Sequence, residues 1–106
     1  MNFFTHNDKK INVNGTSLQG ELSVTFEHLL KTFGTPLGAS PDKKVDCEWH
    51  IELSDGKVAT IYNWKNGNAY LGEKGKNPTE ILDWNVGAKS KIAFYQIEEI
   101  LEKNEK

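Results

Sequence analysis

The chain predicts a small α+β domain: an antiparallel or mixed sheet of about five strands with two helices packed on one face. Two kinds of pattern lead there. Around Asp55-Gly56, apolar and polar residues alternate with a period of two, as a hairpin with one dry and one wet face requires. In Phe26–Phe33 and Ala93–Leu101, apolar residues recur at helical spacing.

The central hairpin spans Val45 to Trp64. Asp-Gly suits a two-residue loop, because such a turn needs positive φ. Counting outward sets Leu53 opposite Val58, Ile51 opposite Thr60, Trp49 opposite Tyr62 and Cys47 opposite Trp64, all on the dry face. The wet face then carries Asp46, Glu48, His50 and Glu52 against Ala59, Ile61 and Asn63.

Before the hairpin, residues 1–10 read as a flexible N-terminal arm, and 11–106 as a single domain. Ile11-Asn12-Val13, Asn14-Gly15 and Leu18–Val24 suggest a short hairpin, with Gly20 marking a bulge or a close approach. Thr25 caps a helix with the stripe Phe26, Leu29, Leu30 and Phe33, which Gly34 and Pro36 end. After the hairpin, residues 65–77 form a long Gly- and Lys-rich loop. Asn77-Pro78 opens a short turn and Leu82–Val86 reads as a strand. Ser90 caps a last helix buried through Ala93, Phe94, Ile97, Ile100 and Leu101, and Ile92 and Tyr95 fall off that stripe.

Composition narrows the function classes. A chain of 106 residues holds one modest core. The 13 basic and 15 acidic residues are well mixed, so direct nucleic-acid binding is not expected, nor is DNA mimicry. No apolar run reaches the ~18 residues of a membrane span, and the first residues lack a signal-peptide pattern, so a cytoplasmic setting is expected. The single Cys47 has core parity and reads as a buried thiol.

Three groups of residues stand out as candidate sites. Glu48, His50 and Glu52 project from one strand face in steps of ~7 Å. Histidine with two carboxylates can hold zinc or iron, yet a polar row on a wet face looks the same, and no metal or cofactor is expected. Ile61 opposite His50 suggests that this face meets a partner, with Asn63, Ile92 and Tyr95 as further contacts. Lys65, Tyr70, Lys74 and Lys76, with Lys89 at the Gly87-Ala88-Lys89-Ser90 junction, offer a surface for a phosphate-bearing small ligand. No Ser-His-Asp order, activated cysteine or differentiated carboxylate pair names a reaction, so no catalytic residue is assigned.

The motifs Glu48-Trp49-x-Ile51, Asp55-Gly56-x-Val58-Ala59-Thr60-Ile61-Tyr62-Asn63-Trp64-Lys65, Asn68-x-Tyr70-Leu71-Gly72 and Asp83-Trp84-x-Val86-Gly87-x-Lys89-Ser90 resemble small proteins encoded by tailed bacteriophages and related viruses. The resemblance covers roughly residues 16 to 101; Ala88 stands where that pattern often has a second glycine. It transfers no catalytic residues. It implies a setting: a viral accessory protein in the host cytoplasm that binds and blocks a host protein, such as a defence component of the CRISPR kind. A small-ligand or nucleotide-signal sequestering protein is the alternative, and a metal-dependent enzyme at Glu48, His50 and Glu52 is third.

Overall fold

The computed structural model describes residues 2–40, 42 and 44–104. Five strands form one antiparallel sheet: β1 (Phe3–Thr5), β2 (Ser17–Ser23), β3 (Glu48–Leu53), β4 (Val58–Tyr62) and β5 (Asp83–Ala88), in the spatial order β1-β3-β4-β5-β2. The helices are α1 (Phe26–Phe33), the single turn α2 (Asn68–Leu71) and α3 (Lys91–Lys103). The buried stripes of α1 and α3 pack on one face of the sheet, giving the α+β architecture expected. No helix among the described residues is long and apolar enough to cross a membrane.

Local signals act as read. The Thr25 hydroxyl accepts the His28 N–H at 3.1 Å, and Gly34 ends α1 at φ 86°. The Glu80 carboxylate accepts the Asn77 N–H at 2.9 Å, opening the short turn at Pro78. The buried stripe of α3 is Ala93, Phe94, Ile97, Ile100 and Leu101. Gly20 is a close approach, since a Cβ there would lie 2.9 Å from the Phe94 ring. The strand bulges between Leu18 and Gly20.

The hairpin register departs from the sequence reading by one residue. Its loop is Ser54-Asp55-Gly56, three residues rather than two, closed by Leu53 N–H to Lys57 O at 2.7 Å and Gly56 N–H to Leu53 O at 2.9 Å. Gly56 at φ 88° takes the left-handed position of this loop type. Trp49 therefore pairs with Ile61 and Ile51 with Ala59, while His50 pairs with Thr60 and Glu48 with Tyr62. Because side chains alternate, the single-residue slip turns the whole of β4 over. Ile61, expected on the wet face, is fully buried in the core. Tyr62 instead stands among the polar row, and Trp64 is half exposed.

Trp49, Ile51 and Leu53 are buried as expected. The Trp49 and Trp84 rings meet edge to face at 5.6 Å, and Phe26 of α1 lies over both. Each indole N–H has a backbone acceptor, Gly34 O at 2.8 Å for Trp49 and Ile81 O at 3.2 Å for Trp84. Burying each ring contributes roughly 2–3 kcal/mol, and the satisfied N–H removes the cost that would otherwise offset it.

Strand partners also differ. The expected pairing of residues 11–13 with 18–24 is absent; β2 pairs with β5 at one edge of the sheet. The other edge comes from within the segment read as an arm, where Phe3–Thr5 pairs with Ile51–Leu53. Residues 6–16 then run across the helix-free face. There Lys9 Nζ meets Glu52 at 2.7 Å, His6 stands against His50, and Val13–Thr16 face Thr60 and Gly87 across a cleft. Ile11 is buried under this crossing, outside the main core.

Candidate functional site

The crossing segment leaves part of the helix-free face uncovered, and a cavity of about 570 Å³ lies there. Its floor comes from the row that alternation turns away from the core: Glu48 of β3, Thr60 and Tyr62 of β4, and Asn85 and Gly87 of β5. Val13–Thr16 form one wall, Leu18 of β2 another, and Val45 and Trp64 close the far end. Gly87 is required for this floor, because a Cβ would come within 2.7 Å of the Thr60 hydroxyl.

Glu48 and His50 are paired, His50 Nε2–H donating to the Glu48 carboxylate. Their side chains keep only 15% and 17% of their exposure. The His50 backbone N–H donates to His6 Nδ1 at 3.3 Å, and His6 Nε2–H donates to Thr35 O at 2.8 Å, so the proton of His6 sits on Nε2. The Tyr62 phenol is pushed above its ordinary range, first by burial and then by the negative charge of Glu48. Glu48 therefore makes this end of the groove electronegative.

The end of the groove at Trp64 continues into an aromatic and cationic patch. Lys65 Nζ lies 4.4 Å from the Trp64 ring centre and 5.8 Å from that of Tyr70, and Lys44 Nζ lies 5.4 Å from the Tyr70 ring. Lys44 and Lys65 both hold left-handed backbone, at φ 63° and 62°, and are joined by Lys65 N–H to Lys44 O at 3.0 Å. Such a conformation costs a non-glycine residue roughly 1–2 kcal/mol. The fold keeps it at two adjacent positions.

Behind this patch, buried Asn63 ties the chain together. Its Oδ1 accepts the Asp46 and Cys47 N–H groups at 2.8 and 3.1 Å; its Nδ2 donates to Asp46 Oδ1 and Asn66 Oδ1 at 3.2 and 3.1 Å. The Asp46 carboxylate in turn accepts the Asn68 and Ala69 N–H groups, both at 3.1 Å, at the start of α2. The long loop is thereby folded into α2, a 3₁₀ turn at Gly72–Lys74 and a bridge between Gly67 and Lys76. Burial and the charge of Asp46 push the Cys47 thiol up to about 11.

The site residues read from the sequence divide accordingly. Glu48, His50 and Glu52 share one face as expected, and Glu52 is held by Lys9. Among the described residues no three His, Cys, Asp or Glu side chains are placed to hold a metal ion. Ile61 and Asn63 are corrections: both are wholly buried, one by register and one by its four hydrogen bonds, so neither offers surface to a partner. Ile92 and Tyr95 are exposed, but on α3, across the sheet from His50. Lys65 and Tyr70 meet. Lys89 does not join them. It follows Ala88, which pairs with Ala59 at the start of β4, whereas Lys65 lies beyond the other end of that strand, roughly 20 Å away at ~3.3 Å per residue. Lys74 and Lys76 are exposed on the folded loop.

Trp64, Tyr62, Leu18 and Asn85 were not read as site residues. A three-residue count of the turn would have brought Tyr62 into the polar row. No local signal marks Leu18, because only the bulge in β2 aims it at the cavity. No family model matches the chain, and no curated protein matches it.

Proposed function

We propose that the chain is a non-enzymatic accessory protein of phage type, which binds a host protein in the host cytoplasm and blocks it. A defence component of the CRISPR kind is the target class in view. The observation that carries the binding part of this reading is the pre-formed groove on the helix-free face. Its walls are largely apolar, with a few convergent polar groups at Glu48, Thr60 and Asn85, as recognition sites generally are. Half-exposed Trp64 at its edge is the kind of aromatic side chain on which protein contacts depend most, and exposed Leu18 adds apolar surface to the same groove. The phage setting rests on the sequence resemblance.

The test is affinity capture from host lysate, comparing wild type with a Leu18→Asp/Trp64→Ala variant of unchanged circular dichroism. Both side chains are exposed, so the variant keeps the core. A partner recovered by wild type and lost by the variant supports the reading. Recovery of the same partner by both, or of none by either, refutes it.

A second reading rests on the patch where Lys44 and Lys65 lie over Tyr70 and Trp64: this surface takes a phosphate-bearing ligand such as a nucleotide signal, the ring faces stacking a base. A nucleotide at a hundred times its dissociation constant stabilises the fold by ~2.7 kcal/mol, readily seen as a thermal shift. No shift across a nucleotide panel retires it.

A further inference from the structure

Thr60 retains only 5% of its exposure, yet among the described residues its hydroxyl has no hydrogen-bond partner. Polar groups this deeply placed are normally matched, and this one opens into the groove above Gly87. The absence of a side chain at Gly87 makes the room: a Cβ there would come within 2.7 Å of the Thr60 hydroxyl and 3.6 Å of the Tyr62 ring.

Register sets Gly87 beside Thr60 and Asn85 beside Tyr62. Thr60 and Asn85 are therefore diagonal neighbours on one face of the sheet, about 7–8 Å apart, a separation that one planar ring with polar edges bridges. The Asn85 amide also has no side-chain partner among the described residues. Hydroxyl and amide each donate and accept, so together they match the mixed donors and acceptors on the edge of a nucleobase. The rings of Tyr62 and Trp64 and the Leu18 side chain border its faces. Glu48 is already engaged by His50, and the recognition asks nothing of it.

Trp64 joins this groove to the cationic patch, since it lines the one and seats the Lys65 ammonium of the other. Among the described residues neither Lys44 nor Lys65 meets a carboxylate; both ammonium groups lie over rings, which attract a cation without neutralising it. A neutral sugar would leave these lysines unused, and inorganic phosphate would leave the groove unused. A nucleoside phosphate engages both.

We propose that the groove holds the base of a nucleoside phosphate, its edge against Thr60 and Asn85, with the phosphate at Lys65 and Lys44. The inference rests on the second reading above, which it carries from the surface patch into the groove.

The test uses the full chain with AMP, GMP, CMP and UMP, their nucleosides, and ribose 5-phosphate. NMR shifts of the Thr60 and Gly87 amides and the Asn85 side-chain amide report on the groove; the Trp64 indole and Lys65 amide report on the patch. At least one nucleotide is expected to shift both sets and to bind at least about tenfold more tightly than ribose 5-phosphate. Thr60→Val keeps the branched shape and removes only the hydroxyl. Combined with Asn85→Ala, it weakens that nucleotide at least about tenfold and leaves ribose 5-phosphate unchanged. Lys65→Gln lowers the nucleotide to the affinity of its nucleoside. Circular dichroism confirms that each variant is folded, and Thr60→Val alone carries the groove test if Asn85→Ala lowers Tm.

Ribose 5-phosphate binding as tightly as every nucleotide, or full nucleotide affinity in the groove variants, overturns the proposal; with shifts kept at Trp64 and Lys65, the second reading stands without it. Nucleosides binding as tightly as nucleotides also overturn it, because the lysines then take no part. No shift with any nucleotide at millimolar concentration removes both.

Discussion

Replacing Asn63 by alanine removes a side chain that water cannot replace, since the residue has no exposure at all. Two backbone donors, the N–H groups of Asp46 and Cys47, lose their shared acceptor at 2.8 and 3.1 Å. Stranding a buried donor costs roughly 1–3 kcal/mol, and each of the two bonds donated by Nδ2 contributes about 0.5–1.5 kcal/mol. Allowing for relaxation near the partly exposed Asp46, the sum is roughly 3–5 kcal/mol, a large part of the 5–15 kcal/mol typical of a domain. Tm falls by at least about 12 °C on the usual scaling for this size. The assay is urea denaturation of Asn63→Ala beside Asn66→Ala, which loses one of the four bonds and costs at most about 1.5 kcal/mol. Hydrogen exchange at the Lys65 and Lys76 amides, bonded to Lys44 O and Asn66 O at 3.0 Å, reports on the loop itself. If Asn63→Ala loses less than about 1 kcal/mol, or leaves both amides as protected as in wild type, Asn63 is not the tie described.

Three other outcomes follow from the same structure. The Cys47 thiol is raised from 9.0 to about 11, so below pH 9 it is protonated in both folded and unfolded chains; between pH 9 and about 11 only the unfolded chain loses the proton, and stability falls. The loss, roughly 2–3 kcal/mol, is read as wild type minus Cys47→Ala to cancel other groups, and no difference in slope would contradict the burial argument. Gly20→Ala drives a methyl into the Phe94 ring and costs about 1–3 kcal/mol; Phe94→Leu in the same chain recovers part of it, whereas strictly additive losses on denaturation would argue against the contact. Ile61→Asp places a charge in the core and prevents folding or costs more than about 4 kcal/mol, while Tyr62→Phe on the opposite face stays within about 1 kcal/mol by circular dichroism melts; the reverse order would restore the two-residue turn.

How far the residues themselves disclosed the protein can be followed along β3 and β4. The alternation from Cys47 to Leu53 showed which side of β3 is dry, because each apolar residue on that side outweighs any local preference. The same rule applied across the turn failed. Asp55-Gly56 fits both a two-residue loop and the last two positions of a three-residue loop, and the choice shifts every cross-strand pair by one. Here the packing of Ile61 against Trp49 and the close hydrogen bonds of Leu53 with Lys57 and Gly56 select the longer loop. Ile61, the residue that seemed out of place on a wet face, was the sign of that choice. The candidate site was legible in part: Glu48 and His50 stand where alternation puts them, but their neighbours Tyr62, Asn85 and Leu18 come from strands whose partners no local pattern names.

The chain's own order of residues determined α1 and α3 with their buried stripes, the Thr25 cap of α1, and the dry side of β3, since these depend on contacts within a few residues and on one-dimensional periodicity; it did not show α2, which lies in the segment read as a loop, and Ser90 starts α3 without a side-chain cap bond. Tertiary structure alone decided that β1 lies beside β3 and β2 beside β5, that residues 6–16 cross the helix-free face, and that Trp64 borders a groove floored by Glu48. Those are contacts between residues far apart along the chain, selected by the total packing of the sheet and helices rather than by any segment's preference.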